Sequence, residues 1–315
     1  MADTINNGGA IAIKGFNYQK ASIILIIINN YDKDGFHLIP EAEDDFQVHI
    51  DNKNIFIQVK GERGITLNKL VKNDIISKNL VPGNDEDFRK IFFWDIGSTF
   101  KNELIDVPEG NIISPLLKYS NDHKELIKAK LDLNDNQQQR LDNQFLYITP
   151  FQNDLSVAIT LLLGEMVTQE LSVNKEIGRA LLAELCLMID QKSEIPFQET
   201  DFSEKKIDAE YIKKLFFHIE QMDLFNEILE KSNYNTFQKS KIKLERNKIL
   251  IAYQNTKHKV LKHFEDNSLD FTGLEDDLIA EVIELIKAID NTINDDNLLA
   301  AISIECLCCL WREGS

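Results

Sequence analysis

Two short segments carry the side chains best suited to chemistry. Glu41-Ala-Glu-Asp-Asp45 puts four acids in five positions, and Gln58-Val-Lys60 begins thirteen residues past Asp45. Side chains alternate along a strand, so Gln58 and Lys60 emerge on one face while Ile55, Ile57 and Val59 line the other. Carboxylates facing a side-chain amide and an ammonium suit a divalent cation, and with it a phosphate open to attack by water. An acidic run alone is more often a solvated loop or strand edge, and a strand ending in polar residues is ordinary. Their neighbourhood, on strands joined by a short hairpin, favours phosphodiester hydrolysis. Lys60 follows a run of β-prone residues and has no packing reason to be there.

The elements that position this set can be read from periodicity. Residues 1–13 read as a flexible, Gly-containing lead-in. Residues 14–30 fit a buried helix, although the isoleucine run Ile26-Ile27-Ile28 also suits a strand. Short strands are expected over 36–41, 45–50 and 54–60, the last two joined by the turn-forming Asp51-Asn52-Lys53-Asn54. A helix over 66–79 starts from Thr66 as N-cap. Pro82-Gly83-Asn84-Asp85 breaks the chain, and strands over 90–96 and 144–149 follow. This order predicts a mixed α/β domain. Beyond Pro150 nearly everything is helical, over 154–171, 174–191, 207–230, 238–265, 274–291 and 295–312, and the stretch 196–206 reads as a linker.

Alternation groups Asp44 with Phe46, Val48 and Ile50, and Asp45 with Gln47 and His49. The apolar set belongs to the core, which turns Asp45 toward the site; a bulge between the two acids would reverse that choice. Gln19, near the start of the first helix, either reaches the same site or makes a helix-to-sheet packing hydrogen bond.

Composition narrows the setting. The 315 residues suffice for two domains, and their 43% hydrophobic content describes an ordered globular chain. Four cysteines, three of them at Cys306, Cys308 and Cys309, make no disulfide framework and point to a reducing cytoplasm. They read as small buried hydrophobes rather than a zinc site. The apolar run Ile23–Ile28 is too short to span a bilayer, so no membrane is expected. No phosphate-binding Gly-x-x-x-x-Gly-Lys-Ser/Thr loop and no Gly-x-Ser-x-Gly elbow occur. Net charge is −17, with 17 Lys and Arg against 22 Asp and Glu in residues 1–150 and 18 against 30 thereafter. The acidic second half suits a protein partner better than DNA. Directly after the acidic cluster comes a basic stretch, Lys60, Arg63, Lys69, Lys72 and Lys78, that could track a phosphate backbone.

Taken in order, Gly8-Gly9-Ala10, Gly15-Phe16-Asn17-Tyr18-Gln19, Glu41-x-x-Asp44-Asp45 and Gln58-Val59-Lys60 resemble the double-stranded-DNA nuclease domain of bacterial anti-phage effectors. That domain occurs in CBASS (CD-NTase-associated), Lamassu-type and ABC-three-component systems. The resemblance covers about residues 8–150. It implies a PD-(D/E)xK superfamily, restriction-endonuclease-like mixed sheet flanked by helices, with Gln58 standing where the family's catalytic Glu would be. It further implies that Asp45 is the main metal-binding carboxylate and that Gln58 supplies a neutral oxygen. Lys60 would orient water or stabilise the transition state. Because an amide brings no charge to Mg²⁺ or Mn²⁺, another acid among Asp44, Glu41 and Glu43 would compensate.

The expected organisation is a nuclease domain over 1–200 and a helical regulatory or partner-docking domain over 201–315. The expected activity is that of a metal-dependent endonuclease on double-stranded DNA. It would be checked by oligomerisation or by a sensor subunit such as an SMC-like or ABC-type ATPase, since the second half is short for a fused sensor. Two other readings stay open: an inactive interaction subunit that keeps the fold, and an RNA nuclease.

Overall fold

The computed structural model describes residues 7–169, 171, 174–198, 201–267 and 275–313. Helix α1 (Gly8–Ile28) is buried at Tyr18 and continuously over 21–28, the all-round burial of a core helix. The irregular lead-in expected over 1–13 is corrected for residues 8–13, which are helical; residues 1–6 lie outside the described residues. Once the buried half has nucleated, extending the helix through Ala10-Ile11-Ala12-Ile13 costs little. The extension leaves Ile11, Ile13 and Phe16 exposed. At 21 residues α1 is also long and apolar enough to cross a bilayer, which the short isoleucine run did not suggest, yet half of its apolar window is buried within the protein.

Strands β1 (His37–Pro40), β2 (Phe46–Ile50) and β3 (Lys53–Lys60) form an antiparallel meander, with Phe46 opposite Ile57 and His37 opposite His49. The β2–β3 hairpin turns on Asp51 and Asn52, both left-handed at φ 50° and 60°. That is the two-residue turn whose twist matches the strands, and Asp and Asn tolerate it. The single helix expected over 66–79 is two, α2 (Leu67–Lys72) and α3 (Ile75–Asn79). Thr66 caps α2 as expected, accepting from the Lys69 N–H at 3.3 Å, while left-handed Asp74 (φ 56°) breaks the run.

The sheet continues through β4 (Phe88–Phe93), parallel to β3, then α4 (Ser98–Asn102) and the small strands β5 (Ile105–Val107) and β6 (Leu116–Lys118). Helices α5 (Asn121–Lys130) and α6 (Asp135–Arg140) lead to β7 (Gln144–Ile148), parallel to β4. After α7 (Leu155–Thr168) and α8 (Lys175–Glu194), the two-residue β8 (Ile207–Asp208) pairs with β1. The eight strands run in the order β5-β6-β7-β4-β3-β2-β1-β8, a mixed sheet.

Directly paired residues share a face, which puts Phe56, Gln58 and Lys60 with Arg89, Ile91 and Phe93. This side is covered by α2, α3 and α5, through Leu70, Ile75, Ile76 and Ile127. The other side carries Ile57, Lys90 and Phe92. There Asn30, just past α1, and Lys90 both bond to the 111–112 segment.

The stretch 196–206 is not a loose linker. Lys205, almost fully buried, donates to the carbonyls of Lys192, Ser193 and Ile195, satisfying the end of α8, and Phe202 stacks on His49.

By contacts the chain divides at Phe216/Phe217, inside α9 (Ala209–Lys231). The second unit contains the rest of α9 with α10 (Thr236–Ala252), α11 (Gln254–Asp266), α12 (Glu275–Ile289) and α13 (Asp296–Glu313). The periodic segment 238–265 is thus two helices meeting at Tyr253. Cys306 and Cys308 are buried in this core, and all four cysteines are free.

Lys90 is 1% exposed, with its ammonium between the Phe145 and Phe88 rings and bonded to Asn111; burial pushes its pKa down to about 7. The unfolded chain therefore binds this proton more tightly, and stability attributable to Lys90 rises with pH from about 7 toward the ordinary lysine value. Lys90→Met should stabilise the protein by roughly 1–3 kcal/mol at pH 7 in urea unfolding. The gain should shrink by pH 10.

Candidate active site

The acids lie in the five-residue connection from β1 to β2, bent back on itself by a bond from Glu41 N–H to the Asp45 carbonyl (2.9 Å) and by left-handed Glu41 (φ 48°). Each acid has a distinct anchor. Asp45 Oδ2 accepts the Val59 N–H at 2.6 Å, tying the loop to the end of β3. Asp44 Oδ2 accepts Asn79 Nδ2 at 2.5 Å, and Asp44 Oδ1 accepts the Asp45 N–H at 3.0 Å. Glu41 accepts Gln19 Nε2 at 2.7 Å, and the same amide donates to the Asp45 carbonyl at 2.8 Å. Glu43 is exposed.

Of the two roles left open for Gln19, its hydrogen bonds are those of a clamp from α1 onto the acidic loop. The alternation that separated Asp44 from Asp45 does not hold, because both acids precede the first residue of β2. Extending the β2–β3 register by one residue sets Asp45 opposite Gln58. The face expected to be open around Gln47 and His49 is covered: Gln47 is buried, and His49 is stacked between His37 and Phe202.

Gln58 is 7% exposed, and its Oε1 is buried with no hydrogen-bond partner. A buried amide oxygen without a donor is costly, and a ligand bound there would relieve it. Lys60, at the end of β3, makes no ion pair among the described residues. It still acts on both carboxylates, lowering the proton affinity of each. Burial is the larger influence. It pushes Asp44 up to about 6, with the Asp45 charge adding and the Asn79 bond opposing. Asp45 is also raised by burial, against Lys60 and the Val59 N–H.

Among the described residues no group of three or more His, Cys, Asp and Glu side chains is arranged to hold a metal. The oxygens that could do so are the Asp44 and Asp45 carboxylates and Gln58 Oε1. An all-oxygen set of this kind suits Mg²⁺ or Mn²⁺. The raised acids and the unpartnered amide are what such a cation would relieve, so the residues fit it.

Sequence reasoning missed Asn79 and Gln144. Both are fully buried, and Gln144 Nε2, at the start of β7, donates to Asn79 Oδ1 at 2.9 Å. This relay runs from the sheet through α3 to Asp44. Its members are 35 and 65 residues apart along the chain, and no local pattern announces it.

Arg63, Lys69, Lys72 and Lys78 are all exposed. Arg63 lies 3.8 Å from Asp95, and Lys69 donates to the Arg63 carbonyl at 2.7 Å, which joins these two beyond β3. Lys72 and Lys78 sit on α2 and α3 without ion pairs among the described residues.

Residues 7–80 match the family model described as Cap4, dsDNA endonuclease domain, a span that contains every anchor of the acidic loop. Over 310 residues the chain is 44% identical to the Lamassu protein LmuA of a Bacillus species (strain NCIM 5461), covering 96% of this chain and 98% of that one. The chain belongs to the LmuA family of Lamassu proteins. A solved Acinetobacter baumannii Cap4 receptor containing a SAVED/CARF domain, with a cyclic trinucleotide, overlaps 66% of this LmuA-family chain at 13% identity and a TM-score of 0.44; this chain spans 45% of that receptor's length.

In this LmuA-family chain the two acids are stable in their places only because of their donors. Asp44→Asn removes a half-buried charge and should raise cation-free stability at pH 7 by roughly 1–2 kcal/mol. Asn79→Ala removes the donor to Asp44 Oδ2 and the nearer acceptor of Gln144 Nε2, and should lower it by about 1–3 kcal/mol. Urea unfolding in EDTA measures both, and equal signs would contradict this account of the loop.

Proposed function

We propose that the chain is a metal-dependent DNA endonuclease, the effector subunit of a bacterial anti-phage defence complex, switched on by a sensor partner. The observation that carries this reading is the unpartnered Gln58 oxygen beside two acids whose proton affinity is raised by burial, with the Lys60 ammonium close by. The Cap4 nuclease match over these same residues supports it.

When bound, Mg²⁺ or Mn²⁺ supplies Lewis acidity at the scissile phosphate. The chain's own residues do the rest. Asp44 and Asp45 present carboxylate oxygens in fixed rotamers, held by Asn79 and the Val59 N–H. Gln58 adds a neutral oxygen, weaker than a carboxylate would be, and the second acid makes up the charge. Lys60, in no ion pair among the described residues, would donate to a non-bridging phosphate oxygen as negative charge builds on it. Arg63, Lys69, Lys72 and Lys78 would hold the duplex backbone, sequence-independently and with strong salt dependence. Likeness to a Lamassu protein along nearly the whole chain supports a place in such a system, with an SMC-like or ABC-type ATPase as the partner that senses infection.

Two observations favour a second reading, an interaction subunit without activity. Gln58 occupies the position of the family's acid, and the described residues show no three-acid metal set.

Purified protein, tested alone and with its partner subunits, should cut linear and supercoiled plasmid in Mg²⁺ or Mn²⁺ in at least the activated mixture, with EDTA abolishing cleavage. Asp45→Ala and Lys60→Ala should each lose about 100-fold or more while keeping helix content and a cooperative unfolding transition. Gln58→Glu should tighten cation affinity about tenfold, as an added charge would. Undiminished cleavage by Lys60→Ala, or none in any mixture, would remove the enzymatic reading.

A further inference from the structure

The helical unit holds a charge cluster that nuclease chemistry leaves unused. Glu305 on α13 is 6% exposed and takes two cations: Arg246 Nε from α10 at 2.8 Å and Lys257 Nζ from α11 at 3.1 Å. Burial works against the Lys257 ammonium, but Glu305 together with Cys309 outweighs it and raises its pKa, so Lys257 stays charged. One carboxylate between two cations leaves a positive charge uncompensated in a poorly solvated place, where charges are normally paired.

The surplus has a direction. The Arg246 guanidinium lies over the Phe225 ring at 4.5 Å, which holds its plane. Its Nε is committed to Glu305, and its two terminal amino groups meet no acceptor among the described residues. Arg246, Lys257 and Glu305, with His218, Gln221 and Asn247, wall a cavity of about 150 Å³. Of the remaining lining residues His218 and Asn247 are exposed potential donors, Gln221 Nε2 already donates to Cys309 Sγ at 3.3 Å, and Met222 and Ile249 are apolar; both Glu305 oxygens are already occupied. Around it the unit is acidic, with 11 Lys and Arg against 18 Asp and Glu over residues 217–315. The pocket is thus no part of a general basic surface.

We propose that this pocket binds a phosphate-type oxyanion, with the free edge of Arg246 as its bidentate anchor and Lys257 as the second cation. A planar guanidinium held by stacking is the group suited to two oxygens of one phosphate. The volume admits a tetrahedral oxyanion but is below that of pockets enclosing a whole drug-sized ligand. Of a larger phosphorylated molecule, only the phosphate enters. Bound there, the anion bridges α10 and α11 and makes the helical unit responsive to a phosphorylated effector. This assignment does not depend on the nuclease reading.

The test uses the full chain, titrated with sodium phosphate and separately with glycerol 3-phosphate, against sodium chloride at matched ionic strength. Melting temperature and binding heat are read. A saturable response is expected in one or both phosphate arms, and their relative affinity tells free phosphate from a phosphate monoester. Arg246→Gln should weaken it about tenfold or more, the loss of charge-assisted bonds. The exposed pair His218→Ala/Asn247→Ala should weaken it about threefold or more with the unliganded melting temperature unchanged, and decides the matter if Arg246→Gln does not fold. Lys60→Ala should bind as the wild type does. A response no different from chloride, one indifferent to the pocket variants, or one lost in Lys60→Ala would overturn the proposal.

Discussion

Two adjacent carboxylates, drawn out of water where the chain crosses from β1 to β2, are the constraint around which the first unit is built. Burial raises the proton affinity of each, for Asp44 to a pKa of about 6. They remain in place because donors from different elements meet them: Val59 N–H from β3, Asn79 from α3, and Gln19 from α1 through the loop's own backbone. This is a local arrangement maintained by the rest of the fold rather than by itself, the kind of tension that functional sites store.

Support for the acids comes from ordinary devices. The left-handed pair Asp51-Asn52 sets the β2–β3 register, and that register puts Asp45 across from Gln58; a slip of one residue would turn the pair to opposite faces. The break at Asp74 splits the following helix, and Asn79, at the end of the second piece, reaches Asp44. Gln144 holds Asn79 from the first position of β7, so a parallel strand far along the chain takes part in positioning an acid of the β1–β2 loop. A neutral Gln58 beside the two acids spares the loop a third like charge.

In the helical unit, Glu305 between Arg246 and Lys257 draws α10, α11 and α13 together. Such a buried ion group is a weak source of stability, and its better-attested role is to specify one arrangement among several. The surplus cation is what separates this cluster from a closed ion pair.

Much of this protein was legible in its residues. The three-strand meander, the buried strands around 90 and 145, the run of C-terminal helices and the pairing of an acidic segment with Gln58 and Lys60 all follow from period-2 and period-3.6 patterns, which act over a few residues. What escaped was too short or too distant. β5, β6 and β8 have two or three residues each, too few to show a period. Whether Asp44 or Asp45 faces inward was not a matter of alternation, because neither is in a strand. Lys205, polar and within an apparent linker, was buried by the unmet carbonyls at the end of α8. Asn79 and Gln144 became part of the site only when the fold brought them beside Asp44. Local order and the chemical types placed along the chain were determined by the sequence, since backbone propensity and side-chain chemistry are local. Burial, proton affinity and partnership were decided by tertiary structure alone, since they depend on what packs against a residue from afar.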